Sequence, residues 1–425
     1  MNEVVGSIIK EYLERKIHLL EREITLKEVE GKAQSVVGVR RSGKTSLLIY
    51  YFQKFREEGK NVIFFPFDDD RVYPPSLDTL RAVIKASKEI YPTGKLYLFF
   101  DEIQEIDGWE IGIKRLVERE NHRVFLTGSS SKLMSKEIAT QMRGRTLVYE
   151  LFPFSFREVL RLNGIKMSKY YTEMEEAKIK NLLKKYIEWG GFPEIWVKEE
   201  FANEILREYV DVMFYRDLVE RFNIRNYKAI KLFMKIAVSS FSKRVSIRKI
   251  SNYMKTLNIS VSRNTLYNYL EYCNDSYIIF PVRRYSPSLK DVEQSKPKIY
   301  PVDNGIIRVF AHRTSEDIGR LMECVVFLEL RRTYKENENI FYYITADGKE
   351  IDFLLKNGRE CEIIEVTYDV DNEHIKKVFK ALDELKIKHG LILTWDKTDV
   401  LEKDGKRIDI MPLWKWFLKE SVSNK

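Results

Sequence analysis

Residues 38–45 contain the sequence feature that most restricts the fold of this chain. They read Gly-Val-Arg-Arg-Ser-Gly-Lys-Thr, which matches the phosphate-binding pattern G-x-x-x-x-G-K-[ST] at every fixed position. An apolar run at 33–37 predicts a strand before the motif, and residues 46–58 predict a helix after it. A chance match in a surface loop would lack both flanking elements, so the pattern predicts a P-loop.

The chemistry of phosphate binding accounts for the residue types in this loop. Glycines let the backbone curve so that its N–H groups point at phosphate oxygens, and the positive end of the following helix adds to the attraction. Lys44 can reach the β- and γ-phosphates, and the Thr45 hydroxyl can bind Mg²⁺. Arg40 and Arg41 are also near the phosphates, although we expect them mainly to orient the loop. The predicted nucleotide contacts are Gly38, Arg40, Arg41, Ser42, Gly43, Lys44, Thr45 and Ser46.

A second nucleotide-related element lies at residues 95–102, where an apolar run ends in Asp101 and Glu102. The pattern is typical of a buried strand, and its two terminal carboxylates resemble a Walker B motif. Asp101 is then predicted to hold Mg²⁺, and Glu102 to orient and polarise the attacking water. The alternative is a strand that ends in acids by chance, which the spacing after the P-loop disfavours.

Small polar residues and two arginines follow a third predicted core strand at 123–126. A hydroxyl at the end of this strand can contact the γ-phosphate, with a plain turn as the alternative. The candidates are Thr127, Ser129 and Ser130, of which Ser129 is taken as the nucleotide contact. Arg143 and Arg145 are candidates for an arginine that stabilises transition-state charge, in the same subunit or in a neighbouring one.

Basic residues are concentrated in one segment, residues 221–300. This segment has 16 lysines and arginines against 4 acids, a net charge of +12, whereas the whole chain carries +9. A concentrated basic segment favours a polyanionic partner, above all DNA. The alternative is a solvated surface, which would interleave both signs of charge.

Length and composition narrow the class of protein. The 425 residues suggest two to four domains, and no apolar run approaches the roughly 18 residues that a membrane helix needs. The charged N-terminus has no signal-peptide pattern, so we predict a cytoplasmic chain without a membrane partner. Three isolated cysteines and five scattered histidines indicate neither disulfides nor a zinc site. Abundant lysine and glutamate with scarce glutamine hint at a thermophile.

Several segments together resemble the archaeal and bacterial AAA+-type ATPases with a C-terminal restriction-endonuclease-like domain. Beyond the P-loop, the matching segments are 98–109 (LFFDEIQEIDGW), 126–131 (LTGSSS), 143–160, 190–194 (GGFPE), 216–226, 350–353 (EIDF) and 412–416 (PLWKW). The resemblance implies ATP rather than GTP as the nucleotide, and an active form that is a homo-oligomer at least transiently.

The resemblance also implies a fold class and its domains. We expect an α/β chain with a P-loop AAA+ core, a helical lid, a winged helix and a restriction-endonuclease-like α/β domain. The predicted boundaries are 1–150, 151–220, 221–305 and 306–425 in that order. Amphipathic spacing predicts a lid helix at 175–189, ended by the Gly190–Pro193 run.

The predicted winged helix gives the basic segment a way to bind DNA. Ser246 and Ser262 can cap two helices, and residues 277–280 and 282–285 predict two short strands, with Arg283 and Arg284 near the wing. Candidates for contacts with bases are Arg263, Asn264 and Asn268, and candidates for contacts with phosphates are Lys243, Arg244, Arg248, Lys249 and Arg284. The alternative is a winged helix that packs against other domains.

The C-terminal region is predicted to hold a second metal site. A helix at 318–332 carries Glu323, and a hairpin turning at Asp347-Gly348 precedes a third strand. The nuclease resemblance implies that Asp352 and Glu365 bind Mg²⁺ on adjacent strands, with Glu323 nearby. Such nucleases have a lysine where this chain has Thr367, so the catalytic set is incomplete; Lys376 or Lys377 could substitute.

Two classes of function remain open at this point. One is an ATP-driven protein that acts on DNA, with or without cleavage. The other is a nucleotide-gated scaffold that binds a protein partner without processing DNA. The basic segment favours the first.

Overall fold

Two units make up the chain in a computed structural model: Met1–Pro153 and Phe154–Lys425. The structure describes residues 2–128, 142, 144–310, 318–358 and 360–419. The division falls near the predicted boundary after residue 150, and the finer division of the second unit stays a prediction. No helix among the described residues is long and apolar enough to cross a membrane.

A five-stranded parallel sheet forms the centre of the N-terminal unit. Its strands are β1 Ala33–Val37, β2 Asn61–Pro66, β3 Leu96–Asp101, β4 Arg123–Thr127 and β5 Thr146–Glu150. All three predicted core strands are confirmed. The order β2-β3-β4-β1-β5 places β4 between β1 and β3. The residues that follow β1, β3 and β4 therefore meet at one edge of the sheet.

Among the residues that the structure describes, four helices accompany this sheet. They are α1 Asn2–Glu14, α2 Lys44–Glu57, α3 Leu77–Ile90 and α4 Trp109–Glu118. The helix after the P-loop, α2, packs Phe52 and Phe55 against Phe64, Phe99 and Phe125 of the sheet. Burial of these large apolar rings fixes the helix, and with it the loop at its N-terminus, against the strands.

The second unit begins with helices. They are α5 Phe156–Leu162, α6 Glu173–Trp189, α7 Pro193–Val197, α8 Ala202–Val212, a π-helical segment Met213–Glu220, α9 Tyr227–Ser239, α10 Ile247–Thr256 and α11 Arg263–Asp275. The predicted helix at 175–189 and both predicted caps are confirmed, since the hydroxyls of Ser246 and Ser262 accept N–H groups from the first turns of α10 and α11.

The predicted strand pair at 277–280 and 282–285 is wrong. Tyr277 has a left-handed φ of 57°. A single strand follows it, β6 Ile279–Val282, and this strand contains Pro281. Its antiparallel partner is β7 Lys298–Pro301, reached across helix α12 Leu289–Gln294. Residues 283–285 continue towards the C-terminal sheet, where Tyr285 donates its N–H to the carbonyl of Tyr342. The pairing is non-local, so the apolar pattern alone did not indicate it.

A mixed six-stranded sheet forms the C-terminal part of this unit, in the order β12-β13-β11-β10-β9-β8. Its strands are β8 Ile340–Ile344, β9 Glu350–Asn357, β10 Glu360–Val366, β11 His389–Thr394, β12 Asp399–Lys403 and β13 Lys406–Pro412. The accompanying helices are α13 Asn304–Phe310, α14 Ile318–Arg331, α15 Asn372–Leu385 and α16 Leu413–Leu418. The predicted helix, hairpin and third strand are confirmed. Antiparallel pairing of β9 with β10 brings Asp352 and Glu365 to adjacent strands.

Candidate functional site

The loop between β1 and α2 has the backbone conformation of a phosphate-binding loop. Gly38 has a φ of 141° and lies so close to β5 that a Cβ atom there would overlap the carbonyl oxygen of Leu151. Gly43 has a φ of 94° and is the last residue before α2. Both conformations are ones that L side chains rarely adopt, so the two glycines of the motif are required by the backbone.

Lys44 starts the helix and turns its side chain back into the loop. Its ammonium donates hydrogen bonds to the carbonyls of Gly38 and Val39, both at 3.1 Å, and only 7% of the residue is exposed. A buried ammonium encircled by the loop is the positive charge to which a polyphosphate would bind. Thr45 and Ser46 are the next residues along the helix and both are exposed.

The end of strand β3 lies beside the start of α2. The Thr45 hydroxyl donates to Oδ1 of Asp101 at 3.2 Å, and the Thr127 hydroxyl, at the end of β4, donates to the same oxygen. Burial raises the pKa of Asp101 to about 6. The hydrogen bond from Thr127 lowers this pKa, and the negative charge of Glu102 raises it further. A hydroxyl and a carboxylate in contact are an oxygen donor set suited to Mg²⁺, so these residues fit the implied ion.

Glu102 has an unusual conformation and two further neighbours. Its φ of 50° and ψ of 44° are left-handed, which is uncommon for a residue with a long side chain. Its backbone N–H donates to the Thr127 hydroxyl at 3.2 Å, and Gln104 donates its side-chain amide to Oε2 of Glu102. Thr127 and Gln104 therefore hold the backbone and the carboxylate of Glu102 in this position.

Arg22 supports the P-loop, and no sequence motif pointed to this residue. Its guanidinium donates to the carbonyl of Ser42 at 2.8 Å and to that of Phe152 at 2.7 Å, and 8% of the residue is exposed. The arginine thereby ties the loop to the chain after β5. Ser42 itself is fully buried, and Arg22 provides a hydrogen-bond donor for its carbonyl.

The candidates after β4 have different outcomes. Thr127 lies against Asp101 as described above, whereas Ser129, Ser130 and Arg143 lie outside the described residues. Arg145 precedes β5, forms an ion pair with Glu118 and accepts the N–H of Ala33 on its carbonyl. Since β1 and β5 are parallel and the P-loop follows the other end of β1, Arg145 lies at the sheet edge opposite to the P-loop. It does not reach the nucleotide site of its own subunit.

A second group of charged side chains is buried in the C-terminal unit. Lys298, on β7, is 1% exposed and its ammonium contacts Glu323, Glu350 and Asp352 at 2.7, 2.7 and 2.8 Å. Burial raises the pKa of Glu323 to about 8, with a further increase from Asp352. Burial would lower the pKa of Lys298, but Asp352 and Glu323 outweigh it and hold that pKa well above its ordinary value. Lys298 is one of the 16 basic residues of segment 221–300, but it is buried and so adds nothing to an exposed basic surface.

Lys377, rather than Lys376 or Thr367, completes this group. Its ammonium lies 2.5 Å from Oε1 of Glu365 and donates to the carbonyl of Glu350 at 3.0 Å. Lys376 is exposed, and the Thr367 hydroxyl donates to the carbonyl of Asp369. Of the two lysines proposed to substitute for the missing one, only Lys377 contacts the carboxylates.

The predicted Mg²⁺ site on Asp352 and Glu365 does not fit this arrangement. The expectation rested on repulsion among three carboxylates that a divalent cation would relieve, but the ammonium groups of Lys298 and Lys377 already relieve it. Within the described ranges, no three or more His, Cys, Asp or Glu side chains are placed to hold one metal ion. Burial, and then Asp352, raises the pKa of Glu365 well above its ordinary value, which favours its neutral form.

The basic segment presents most of its charge to solvent. Of its 16 basic residues, 12 are exposed: Arg225, Lys228, Lys231, Lys235, Lys243, Arg244, Arg248, Lys249, Lys255, Arg263, Lys290 and Lys296. Asn264 and Asn268 are exposed as well. Arg284 is half-buried and donates to the carbonyl of Ile344, and Arg244 pairs with Glu350 at 2.8 Å. These two arginines are therefore poorer candidates for phosphate contacts than Arg248, Lys249 and Arg263.

Comparison with protein families gives three successive matches. Residues 30–160 match an AAA domain. Residues 180–317 and 318–416 match two different domains of unknown function, DUF8612 and DUF4143. The AAA match covers the P-loop, β3 with Asp101, and β4 with Thr127.

Full-length relatives span nearly the whole chain. The uncharacterized protein MJ1544 of Methanocaldococcus jannaschii is 39% identical over 418 residues, which cover 95% of this chain and 92% of the relative. An uncharacterized protein of Haemophilus influenzae is 26% identical over 400 residues, covering 90% and 94%. Among solved structures, the Walker-type ATPase PABY2304 of Pyrococcus abyssi aligns with a TM-score of 0.42 and 14% identity, over 73% of this chain and 95% of that one.

Proposed function

The chain belongs to the family of the Methanocaldococcus jannaschii relative and contains an AAA-type P-loop ATPase domain, and we propose that it hydrolyses ATP with Mg²⁺ and couples this to the binding of nucleic acid. The observation that supports hydrolysis best is the contact between Thr45 and Asp101 at 3.2 Å beside the buried Lys44. It brings the phosphate-binding and metal-binding groups of two separate motifs together.

The proposed mechanism assigns one task to each side chain. Lys44 and the loop N–H groups would bind the β- and γ-phosphates, and Thr45 and Asp101 would hold Mg²⁺, which would supply charge neutralisation at the phosphates. Glu102 orients the attacking water and accepts its proton, after its carboxylate leaves Gln104. Thr127 contacts both Asp101 and the backbone of Glu102, so it can couple their positions to the nucleotide.

Calorimetry with a non-hydrolysable ATP analogue tests the nucleotide assignment. We expect wild-type protein to bind about one analogue per chain, and Thr45→Ala to lose most of the gain in affinity that Mg²⁺ provides. The matched control is Ser7→Ala, which removes an exposed hydroxyl of helix α1 and should bind the analogue as wild type does. Equal enhancement by Mg²⁺ in wild type and Thr45→Ala would contradict the metal assignment.

We further propose that the exposed basic segment binds the nucleic acid, with duplex DNA as the preferred form. Arg248 and Lys249 lie in the first turn of α10, Arg263 is the first residue of α11, and none forms an ion pair with a described residue. Unpaired surface cations release counterions from phosphates on binding, which is a favourable contribution that weakens with salt. The two serine-capped helices, with Arg263 exposed at the start of α11, also support the winged-helix interpretation.

Fluorescence anisotropy with labelled single- and double-stranded oligonucleotides tests this assignment. The triple variant Arg248→Ala, Lys249→Ala, Arg263→Ala should bind more weakly, and the slope of log K against log salt should fall by about 0.9 per lost phosphate contact on duplex DNA. The matched control replaces three exposed lysines elsewhere, Lys85, Lys114 and Lys169. Unchanged affinity and slope in the triple variant would favour the alternative, a nucleotide-gated scaffold for a protein partner.

A further inference from the structure

Six charged side chains of the C-terminal unit, four buried and two half-buried, form one group of ion pairs. Its carboxylates are Glu323, Glu350, Asp352 and Glu365, and its cations are Lys298 and Lys377. These residues come from β7, α14, β9, β10 and α15, so that five separate elements converge on one point. A group assembled from so many elements is part of the folded architecture rather than a surface ion pair.

Lys298 lies among three carboxylates. Its ammonium is 2.7, 2.7 and 2.8 Å from one oxygen each of Glu323, Glu350 and Asp352, and it donates a hydrogen bond to Oδ1 of Asp352. An ammonium has three donors and no acceptor, and these lengths are typical of charge-assisted N–H···O bonds. Mg²⁺ would require oxygens at about 2.0–2.1 Å. The carboxylates are therefore spaced for an ammonium, not for a small divalent cation.

The carboxylates around Lys298 also accept hydrogen bonds or ion pairs from other donors. Oδ2 of Asp352 accepts the backbone N–H of Val366 at 3.0 Å. Glu323 accepts the buried Tyr300 hydroxyl at 2.5 Å, and Glu350 accepts Arg244 at 2.8 Å. Each of the three carboxylates thus has a second donor in addition to Lys298. Oε2 of Glu365 is the one carboxylate oxygen of the group that is buried without a hydrogen-bond partner among the described residues.

We propose that Lys298 is a built-in cation that permanently occupies the place of a divalent metal among Glu323, Glu350 and Asp352. The ammonium is covalently part of β7, so its effective concentration at the site far exceeds that of any free ion. Removal of the ammonium would leave the buried carboxylates of Glu323 and Asp352 without their nearest cation, which is a strong cost unless another cation replaces it. The C-terminal domain is therefore held in a metal-independent state in which metal-assisted hydrolysis of nucleic acid has no place to occur.

Titration of the full-length, nucleotide-free protein with Mn²⁺, monitored by electron paramagnetic resonance, tests the proposal. We expect wild type and Asp352→Asn to bind the same number of Mn²⁺ ions, because Asp352 binds none. Lys298→Ala should bind one additional ion per chain. The double variant Lys298→Ala, Asp352→Asn should lose that ion. Lys296→Ala, an exposed neighbour on the chain, is the control and should titrate as wild type does.

Two results of this titration would overturn the proposal. One is an ion bound by wild type and lost in Asp352→Asn, since the site would then hold metal despite Lys298. The other is a folded Lys298→Ala variant that binds no additional ion.

A second measurement applies if Lys298→Ala unfolds. Its thermal unfolding is then recorded with and without Mn²⁺, beside the double variant Lys298→Ala, Asp352→Asn. Recovery of a cooperative transition with Mn²⁺ or with the Asp352 change is the expected result, because each lowers the uncompensated negative charge. If neither restores folding, the role of Lys298 as a cation in this site is refuted.

Discussion

At the scale of single residues, the proposed chemistry depends on Lys44, Asp101 and Glu102. Their roles differ in a way that mutants can separate, because Lys44 acts on the bound phosphates and Glu102 acts only on the attacking water. Asp101 is distinct again, since it is buried beside two hydroxyls and its pKa is raised to about 6. Each residue therefore has its own measurable signature.

Lys44→Ala should lose most of its affinity for ATP, whereas Glu102→Gln should keep it and lose turnover. An ammonium about 4 Å from a phosphate contributes roughly 4 kcal/mol at an effective dielectric constant near 20, which is about a thousandfold in Kd. Calorimetry gives the affinities and a phosphate-release assay gives the turnover. Hydrolysis at wild-type rates in both variants would rule out the P-loop as the catalytic site.

Asp101→Asn should change the pH dependence of stability in the absence of metal and nucleotide. The folded state raises the pKa of Asp101 from 3.8 to about 6, so the free energy of unfolding of wild type falls as pH rises through this window. Relative to wild type, Asp101→Asn should therefore gain up to about 3 kcal/mol above pH 6, and the gain should vanish below about pH 4. Urea unfolding in EDTA measures this difference, and a gain independent of pH would show that burial is not its cause.

At the scale of elements, the P-loop is held by contacts on both sides. Gly38 lies against the backbone after β5, and Arg22 ties the loop to Phe152. These contacts come from chain segments that are far apart in sequence. The loop is thus preorganised by β5 and by the segment before β1, in addition to the helix that follows it.

Gly38→Ala should destabilise the N-terminal unit and weaken nucleotide binding. The φ of 141° and the overlap with the Leu151 carbonyl force the backbone to shift, which we expect to cost more than about 2 kcal/mol. Gly6→Ala is the matched control, because Gly6 lies within α1 with no atom within 4 Å of its Cβ position, and it should gain about 0.5–1 kcal/mol. Thermal unfolding of both variants is the measurement, and equal effects would contradict the backbone argument.

Arg22→Ala should destabilise the same unit by roughly 2–4 kcal/mol. The substitution removes two charge-assisted hydrogen bonds and leaves two buried carbonyls, those of Ser42 and Phe152, without their donor. Arg22→Lys should recover part of the loss, since an ammonium cannot reach both carbonyls as a planar guanidinium does. Unfolding transitions of the two variants in urea check the order wild type, Lys, Ala; identical transitions for all three would refute the anchoring role.

At the scale of the whole molecule, the position of Arg145 bears on assembly. It lies at the sheet edge opposite to the P-loop of its own subunit, so any action on a nucleotide has to be on that of another subunit. Its ion pair with Glu118 would then have to exchange for an interaction across the interface. The proposed role of Arg145 at a nucleotide therefore requires a homo-oligomer.

Mixtures of Lys44→Ala and Arg145→Ala subunits should recover part of the ATPase activity that each lacks. In a mixed assembly, an intact P-loop from one variant meets an intact arginine from the other, so activity should depend on protein concentration. Steady-state hydrolysis across a dilution series of the mixture is the measurement. A specific activity that is independent of concentration, with no recovery on mixing, would exclude the role of Arg145 in a second subunit.

Elements that depend on short-range pattern could be predicted from the amino-acid sequence. The P-loop, the strand ending in Asp101, the two serine-capped helices and the hairpin turning at Asp347-Gly348 were all predicted, because each depends on residues within about a dozen positions. The requirement for glycine, for a capping hydroxyl or for alternating apolar residues is local backbone chemistry. The adjacency of Asp352 and Glu365 was implied by the resemblance to nucleases.

Which charges compensate one another depends on packing between distant parts of the chain, and local pattern does not reveal it. Lys298 and Asp352 are 54 residues apart, and Arg22 and Phe152 are 130 apart. Nothing in the local pattern distinguishes Lys298 from the exposed Lys296, yet one is enclosed by carboxylates and the other faces solvent. The partner of a buried charge is set by which elements pack around it, and packing is a property of the whole chain.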